Sequence, residues 1–194
     1  MRAPLALPLL AALATSTLAA RDARADVSSW LAVGGGYSLQ RSHATATTDR
    51  ATALTYSIGV GSSPLARFVV GGLLRTTTFF TLGTDAGVAA RAATGGFARG
   101  DWGVALDAGA LWRPWRGGDY GQWPLQAVLT GGTPWGMQLA LGTEVSSLSG
   151  AAPARGFFGA LEIDLLRLTV TRQGSSETWW PNPAPAGGHE TAGR

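Results

Sequence analysis

The chain has 194 residues, enough for one domain with a sizeable core. Its 28 glycines, 14% charged residues and 45% apolar residues exclude a disordered chain and a helical bundle, and the lack of cysteine excludes disulfides, thiolate metal sites and cysteine nucleophiles. All 15 basic residues other than the two histidines are arginines, set against 12 acids; residues 1–25 carry Arg2, Arg21, Arg24 and Asp22, so the remainder holds 12 arginines and 11 acids, a net charge of +1 that provides no basic stripe for nucleic acid.

Residues 1–25 read as an export signal. Arg2 is followed by an apolar run over 3–18 and then by Ala23-Arg24-Ala25, an Ala-x-Ala cleavage site, with cleavage after Ala20 as the competing position. The run is too short and too rich in alanine and threonine for a membrane helix, and no later apolar run approaches helix-spanning length.

Eight segments then alternate with a period of two, the signature of strands with one apolar face. The first, 27–40, sets Leu31, Val33, Tyr37 and Leu39 against Ala32, Gly34, Gly36 and Ser38. The second, 51–61, sets Thr52, Leu54, Tyr56, Ile58 and Val60 against Ala53, Thr55, Ser57 and Gly59. In the third, 67–80, Phe68, Val70, Leu74 and Phe80 oppose Gly71, Leu73, Arg75 and Thr77. The fourth, 84–98, is the weakest, with Val88, Ala90 and Ala92 opposite Gly87, Ala89, Arg91 and Ala93. The fifth, 101–113, organises the pattern: Trp102, Val104, Leu106, Ala108, Ala110 and Trp112 share one face, while Asp101, Gly103, Ala105, Asp107, Gly109 and Arg113 share the other. Trp123, Leu125, Ala127 and Leu129 mark the sixth (122–130), and Trp135, Met137, Leu139, Leu141 and Val145 the seventh (135–146). The eighth, 156–171, sets Phe157, Leu161, Ile163 and Leu165 against Ala160, Glu162 and Asp164. Its apolar face switches after Leu165 to Leu166, Leu168 and Val170, where a bulge would turn Arg167 inward.

No amphipathic helix interrupts these strands, so hairpins rather than parallel crossovers are expected. Long connections over 41–50, 114–121 and 147–155 alternate with tight ones at 62–64, 99–100 and 131–134; the third, at 81–83, is short and breaks the rule. Trp102 and Trp112 lie ten positions apart, roughly 34 Å of strand, or roughly 24 Å of height at a tilt of about 45°. With long loops at one rim, Trp102 and Trp135 fall at the short-turn level and Trp112 and Trp123 at the long-loop level, while Phe68 and Phe80 bracket the third strand. Two aromatic levels suit the two interfaces of a bilayer. The expected fold is all-β: an eight-stranded antiparallel up-and-down transmembrane β-barrel over 26–173, after a signal peptide at 1–25 and before an extended or disordered C-terminal tail at 174–194.

On the signal peptide, the strand count, the loop alternation and Trp102, Trp112, Trp123 and Trp135, the chain resembles the small eight-stranded outer-membrane barrel proteins of the OmpA transmembrane-domain and OmpX type. That resemblance implies a porin-like closed sheet in the outer membrane, inserted by the barrel-assembly machinery and bathed in outer-membrane lipid. It also implies an aromatic at the end of the last strand; this sequence instead continues into a tail containing Trp179-Trp180-Pro181-Asn182-Pro183-Ala184-Pro185. Trp179 or Trp180 is expected to pack against the short-turn rim or the membrane interface there, with 187–194 disordered; the competing expectation is that both tryptophans are exposed for a periplasmic partner.

Arg75, Arg91, Asp107, Glu144, Glu162 and Asp164 fall on the face that would line the lumen, all but Glu144 near mid-height. An acid–base pair or an ion-selective constriction is one reading; mutual neutralisation in a narrow lumen is sufficient, with Arg75 and Arg91 pairing with Asp107, Glu162 and Asp164. His43, beside Ser42 and near Asp49, suggests a hydrolytic site only on paper, because a polar loop would not fix its geometry. No phosphate loop, dinucleotide fingerprint or metal-ligand spacing is present, so no cofactor and no metal are expected. The expectation is a monomeric, non-enzymatic barrel with a structural or surface-contact role and no nucleic-acid partner. The alternatives are a lipid-modifying outer-membrane enzyme using His43 and a soluble periplasmic lipocalin-like barrel binding a small apolar ligand.

Overall fold

Alternating apolar and small or polar residues, broken by glycine, proline and threonine, are what half-exposed antiparallel strands require. The computed structural model folds in that way and describes residues 27–42, 46–115, 120–146 and 154–166. The expected export signal, His43, Arg167 and the tail with Trp179 and Trp180 lie outside the described residues. The elements are β1 (Ser28–Arg41), β2 (Thr48–Gly61), β3 (Phe68–Phe79), β4 (Gly83–Thr94), α1 (Gly95–Arg99), β5 (Gly103–Trp112), β6 (Leu125–Gly132), β7 (Met137–Ser146) and β8 (Ala154–Asp164). Each strand pairs antiparallel with the next, and β8 returns to β1, with Ala32 opposite Asp164 at one end of that ladder and Arg41 opposite Arg155 at the other. The sheet is therefore a closed eight-stranded antiparallel barrel, within the expected 26–173.

Burial follows the sequence period. In β7 every second residue, from Gln138 to Ser146, is buried, and every other one, from Met137 to Val145, is exposed. The buried face points into the barrel. Three apolar clusters fill parts of it: Trp30, Val69, Ala93, Phe97 and Ala105 at the end where β1, β3 and β5 begin; Val128, Ala140, Phe158 and Ala160; and Ala51, Ala53 and Phe79, backed by Leu82 and Trp115, at the opposite end.

The structure departs from the sequence pattern at two strand ends. β4 stops at Thr94 rather than running to Ala98. The Thr94 hydroxyl accepts a hydrogen bond from the Phe97 amide at 3.3 Å and so caps a helix, and Gly100, in the left-handed conformation at φ 89°, closes it. The β4–β5 connection is thus a helical turn and not a two-residue turn, and it carries Phe97 into the lumen. β8 stops at Asp164: Leu165 and Leu166 are helical, and the Leu166 amide donates to the Asp164 carboxylate at 3.1 Å. The switch of apolar face at Leu166 therefore marks the end of the strand and not a bulge.

The contrast between rims is also weaker than expected. The connections at 42–47 and 62–67 are equally long, and the one at 80–82 is short, so loop length alternates clearly only in the second half of the barrel.

Phe158 shows how the interior was fitted. It faces Gly142 directly across the β7–β8 ladder, and a Cβ added to Gly142 would lie 2.1 Å from the Phe158 ring. The glycine is the space the ring occupies. Gly142→Ala is expected to lower stability by about 1–3 kcal/mol through overpacking, read as a lower urea midpoint. Gly142→Ala combined with Phe158→Leu should recover part of the loss; no recovery would place the strain elsewhere.

Candidate functional site in the barrel lumen

The lumen-facing charges assemble through strand register. On the β4–β5 ladder Arg91 is the direct partner of Asp107. The pair is bidentate, Arg91 Nε to Asp107 Oδ1 at 2.6 Å and Nη2 to Oδ2 at 2.8 Å, the geometry that makes arginine–carboxylate bonds strong. Arg75 reaches the same carboxylate from β3, its Nη2 at 3.2 Å from Asp107 Oδ2. Its Nη1 stands 3.9 Å from Glu162 Oε1 on β8, so Arg75 bridges opposite walls. Arg91 is further held between aromatic faces, 5.0 Å from the Trp30 ring centroid and 5.5 Å from that of Phe97. The Trp30 ring itself fits over the facing glycines Gly61 and Gly71, where Cβ atoms would come within 2.4 and 2.8 Å of it. This cluster closes the end of the lumen beside α1.

A second cluster lies toward the other rim. Arg113, one step beyond the last β4–β5 ladder pair, meets Asp85 with Nη2–Oδ2 at 2.5 Å and Nε at 3.0 Å from both carboxylate oxygens. The same Nη2 bonds Glu144 Oε2 at 2.6 Å. Glu144 also accepts from Gln126 at 2.7 Å and from Gln40 at 3.3 Å. Trp115 donates its indole N–H to Asp85 at 2.7 Å and lays its ring 4.7 Å from the Arg113 guanidinium carbon. Tyr120 covers the cluster: its carbonyl accepts from Arg113 at 3.4 Å and from Ser146, and its hydroxyl donates to Asp49.

The six sequence-expected lumen charges are all buried. Arg75, Arg91, Asp107 and Glu162 form one cluster and Glu144 belongs to the other. Asp164, expected near mid-height, is the last residue of β8, where it accepts from Gln138 at 3.4 Å. Sequence reasoning put Arg113 and Gln126 on the inward faces of their strands without assigning them to the network, and passed over Asp85, Trp30 and Gln40. The parity that placed Arg91 and Asp107 also places Asp85 and Arg113 inward, but both sit at strand ends, where parity alone is weak. Tyr120, in a connection, carries no periodic signal. Of the imagined hydrolytic set, His43 lies outside the described residues, and the Asp49 carboxylate takes the Tyr120 hydroxyl. Among the described residues no group of three or more His, Cys, Asp or Glu side chains is placed to hold a metal ion.

Outside the barrel, Phe68, Phe80, Trp102, Trp112, Trp123 and Trp135 are all exposed, between 46% for Trp112 and 68% for Phe68. Trp102 and Trp135 pack edge to face with centroids 5.6 Å apart. No protein-family model, curated protein or solved structure matches the chain.

The geometry ranks the lumen charges. Asp107→Asn leaves two buried guanidiniums short of their shared carboxylate and should cost about 3–5 kcal/mol. Glu162→Gln, which removes only the 3.9 Å contact to Arg75, should cost less than half as much. Denaturant midpoints of the two variants check the order; equal losses would mean that Glu162 matters as much as the short pairs.

Proposed function

We propose that this protein is a non-conducting, non-enzymatic barrel of the outer membrane, of the small eight-stranded kind that its sequence resembles, with a structural or surface-contact role. The observation that carries this is the inversion of its two faces. The interior holds Arg75, Asp85, Arg91, Asp107, Arg113, Glu144 and Glu162, each almost fully buried, while Leu54, Val60, Val70, Leu74, Val88, Leu106, Leu129, Leu139 and Leu161 are exposed on the wall.

Exposed apolar patches on soluble monomers are limited to a few hundred Å². A continuous apolar wall bounded by aromatic residues fits hydrocarbon with an interface at each end. A lipocalin-like barrel needs the reverse distribution, an apolar cavity behind a polar wall. Satisfying every backbone group within a closed sheet also meets the requirement for crossing lipid without an edge.

The role assigned to the lumen charges is architectural. Apart from Glu162, whose carboxylate makes only a 3.9 Å contact to Arg75 and no hydrogen bond, their guanidiniums and carboxylates are hydrogen-bonded to one another, and the clusters are enclosed by Trp30 and Phe97 at one end and by Trp115 and Tyr120 at the other. Catalysis needs a group that substrate can reach, and conduction needs a continuous wet path. Planar-bilayer recordings of the protein are expected to show no stable open channel.

The membrane reading is tested on β5. Leu106 is 52% exposed and its neighbour Ala105 is buried. Leu106→Arg should oppose insertion by about 2–4 kcal/mol near the midplane, seen as loss of heat-modifiable migration on gels and of recovery in the outer-membrane fraction. Ala105→Arg should instead disturb the lumen. A Leu106→Arg variant that folds normally in detergent-free buffer would sink the membrane reading.

A further inference from the structure

Among the described residues, charge on the outward face of the strands is confined to one rim; at the opposite rim Arg67, Arg99 and Asp101 are exposed in the connections. Within the eight strands the exposed charged side chains are Arg41 at the end of β1, Arg50 near the start of β2 and Arg155 near the start of β8. All three are cationic and lie at the same rim on three neighbouring strands. Arg41 is the direct ladder partner of Arg155, and Arg50, paired with Leu39, is the diagonal neighbour of Arg41, whose own partner is Thr48. Among the described residues none of the three forms an ion pair. The one acid beside them in sequence, Asp49, turns the other way and bonds Tyr120.

Like charges directly opposite each other on a ladder repel, so this arrangement is unfavourable until an anion lies between them. Elsewhere at this rim the outward positions are filled by Phe80, Trp112 and Trp123, which suit an interface without an anion. Below the arginines the wall is apolar apart from Thr52: Leu39 and Tyr37 on β1, Phe157 and Leu161 on β8 and Leu54 on β2 are exposed. An occupant must therefore be anionic at its head and apolar below it.

We infer that Arg41, Arg50 and Arg155 form a binding site for the phosphate group of an anionic membrane lipid, whose acyl chains lie along Leu39, Phe157 and Leu54. Guanidiniums offer paired N–H donors that match phosphate oxygens, and their aliphatic stems can lie on the apolar wall while the heads reach the interface. The inference rests on the membrane reading, because a lipid headgroup meets this rim only if the wall below sits in hydrocarbon. A free phosphate ion would gain nothing from that wall, which is why lipid is the source assigned.

The test refolds the protein into phosphatidylcholine vesicles containing trace chain-labelled phosphatidic acid or chain-labelled phosphatidylcholine, and reads the motionally restricted fraction by electron spin resonance. The wild type should select phosphatidic acid over phosphatidylcholine several-fold. Each arginine near a lipid surface contributes about fivefold to such binding, so Arg41→Gln/Arg50→Gln/Arg155→Gln should lose at least fivefold and approach no selection while keeping heat-modifiable migration. If the triple variant does not insert, Arg41→Gln and Arg155→Gln singly serve, each relieving the opposed pair. A barrel that inserts but shows no selection, or selection that the substitutions leave unchanged, overturns the lipid site and leaves the membrane reading standing. Failure of the wild type to insert at all sinks both. Loss of wild-type selection on adding low concentrations of inorganic phosphate would make this a site for free anions and overturn the assignment to lipid.

Discussion

The pairing of β8 with β1 is the constraint on which the rest of the molecule depends. Seven hairpin ladders would leave two open edges; the eighth, from Ala32–Asp164 to Arg41–Arg155, removes them. Closure at eight strands also fixes the interior at about the width that side chains alone can fill. Every inward residue must then fit its neighbours. This accounts for Gly142 opposite Phe158 and for the facing glycines under Trp30.

A narrow closed interior also determines what charges can do there. Two carboxylate–guanidinium pairs lie on one ladder, Arg91 with Asp107 in register and Arg113 with Asp85 one step beyond its end. Each is tied to a more distant strand, through Arg75 to β3 and β8 and through Glu144 to β7. Buried pairs of this kind add little net stability over well-packed apolar residues, yet breaking one leaves an uncompensated charge. Their effect is therefore to make alternative strand registers unfavourable. A one-residue slip of β5 against β4 would turn Asp107 outward and strand Arg91 inside.

The outer wall reads as the complement of this interior. Its apolar residues carry no directional information, but its aromatics and its three arginines do. Trp102 and Trp135 pack together at one rim, whereas Arg41, Arg50 and Arg155 gather at the other on the strands where the barrel closes. The wall is thus asymmetric around its circumference as well as along its axis, which a barrel acting only as an inert plug does not require.

The period of two was legible from sequence alone because side chains alternate across any strand, whatever it pairs with; hence the inward placement of Arg75, Arg91, Asp107, Glu144 and Glu162 and the outward placement of Trp102, Trp112, Trp123 and Trp135. Strand ends were not, because they depend on competing local bonds. The Thr94 hydroxyl captures the Phe97 amide and turns an alternating stretch into α1, and Asp164 captures the Leu166 amide. The pairing of Arg75 and Arg91 with Asp107 and Glu162 was legible from charge and parity. The second cluster was not: Arg113 finds Glu144 on β7, because curvature of the closed sheet brings non-adjacent walls within side-chain reach. The opposition of Arg41 to Arg155 was the least legible of all. Those residues are 114 positions apart, and only the register of the closing ladder puts them side by side.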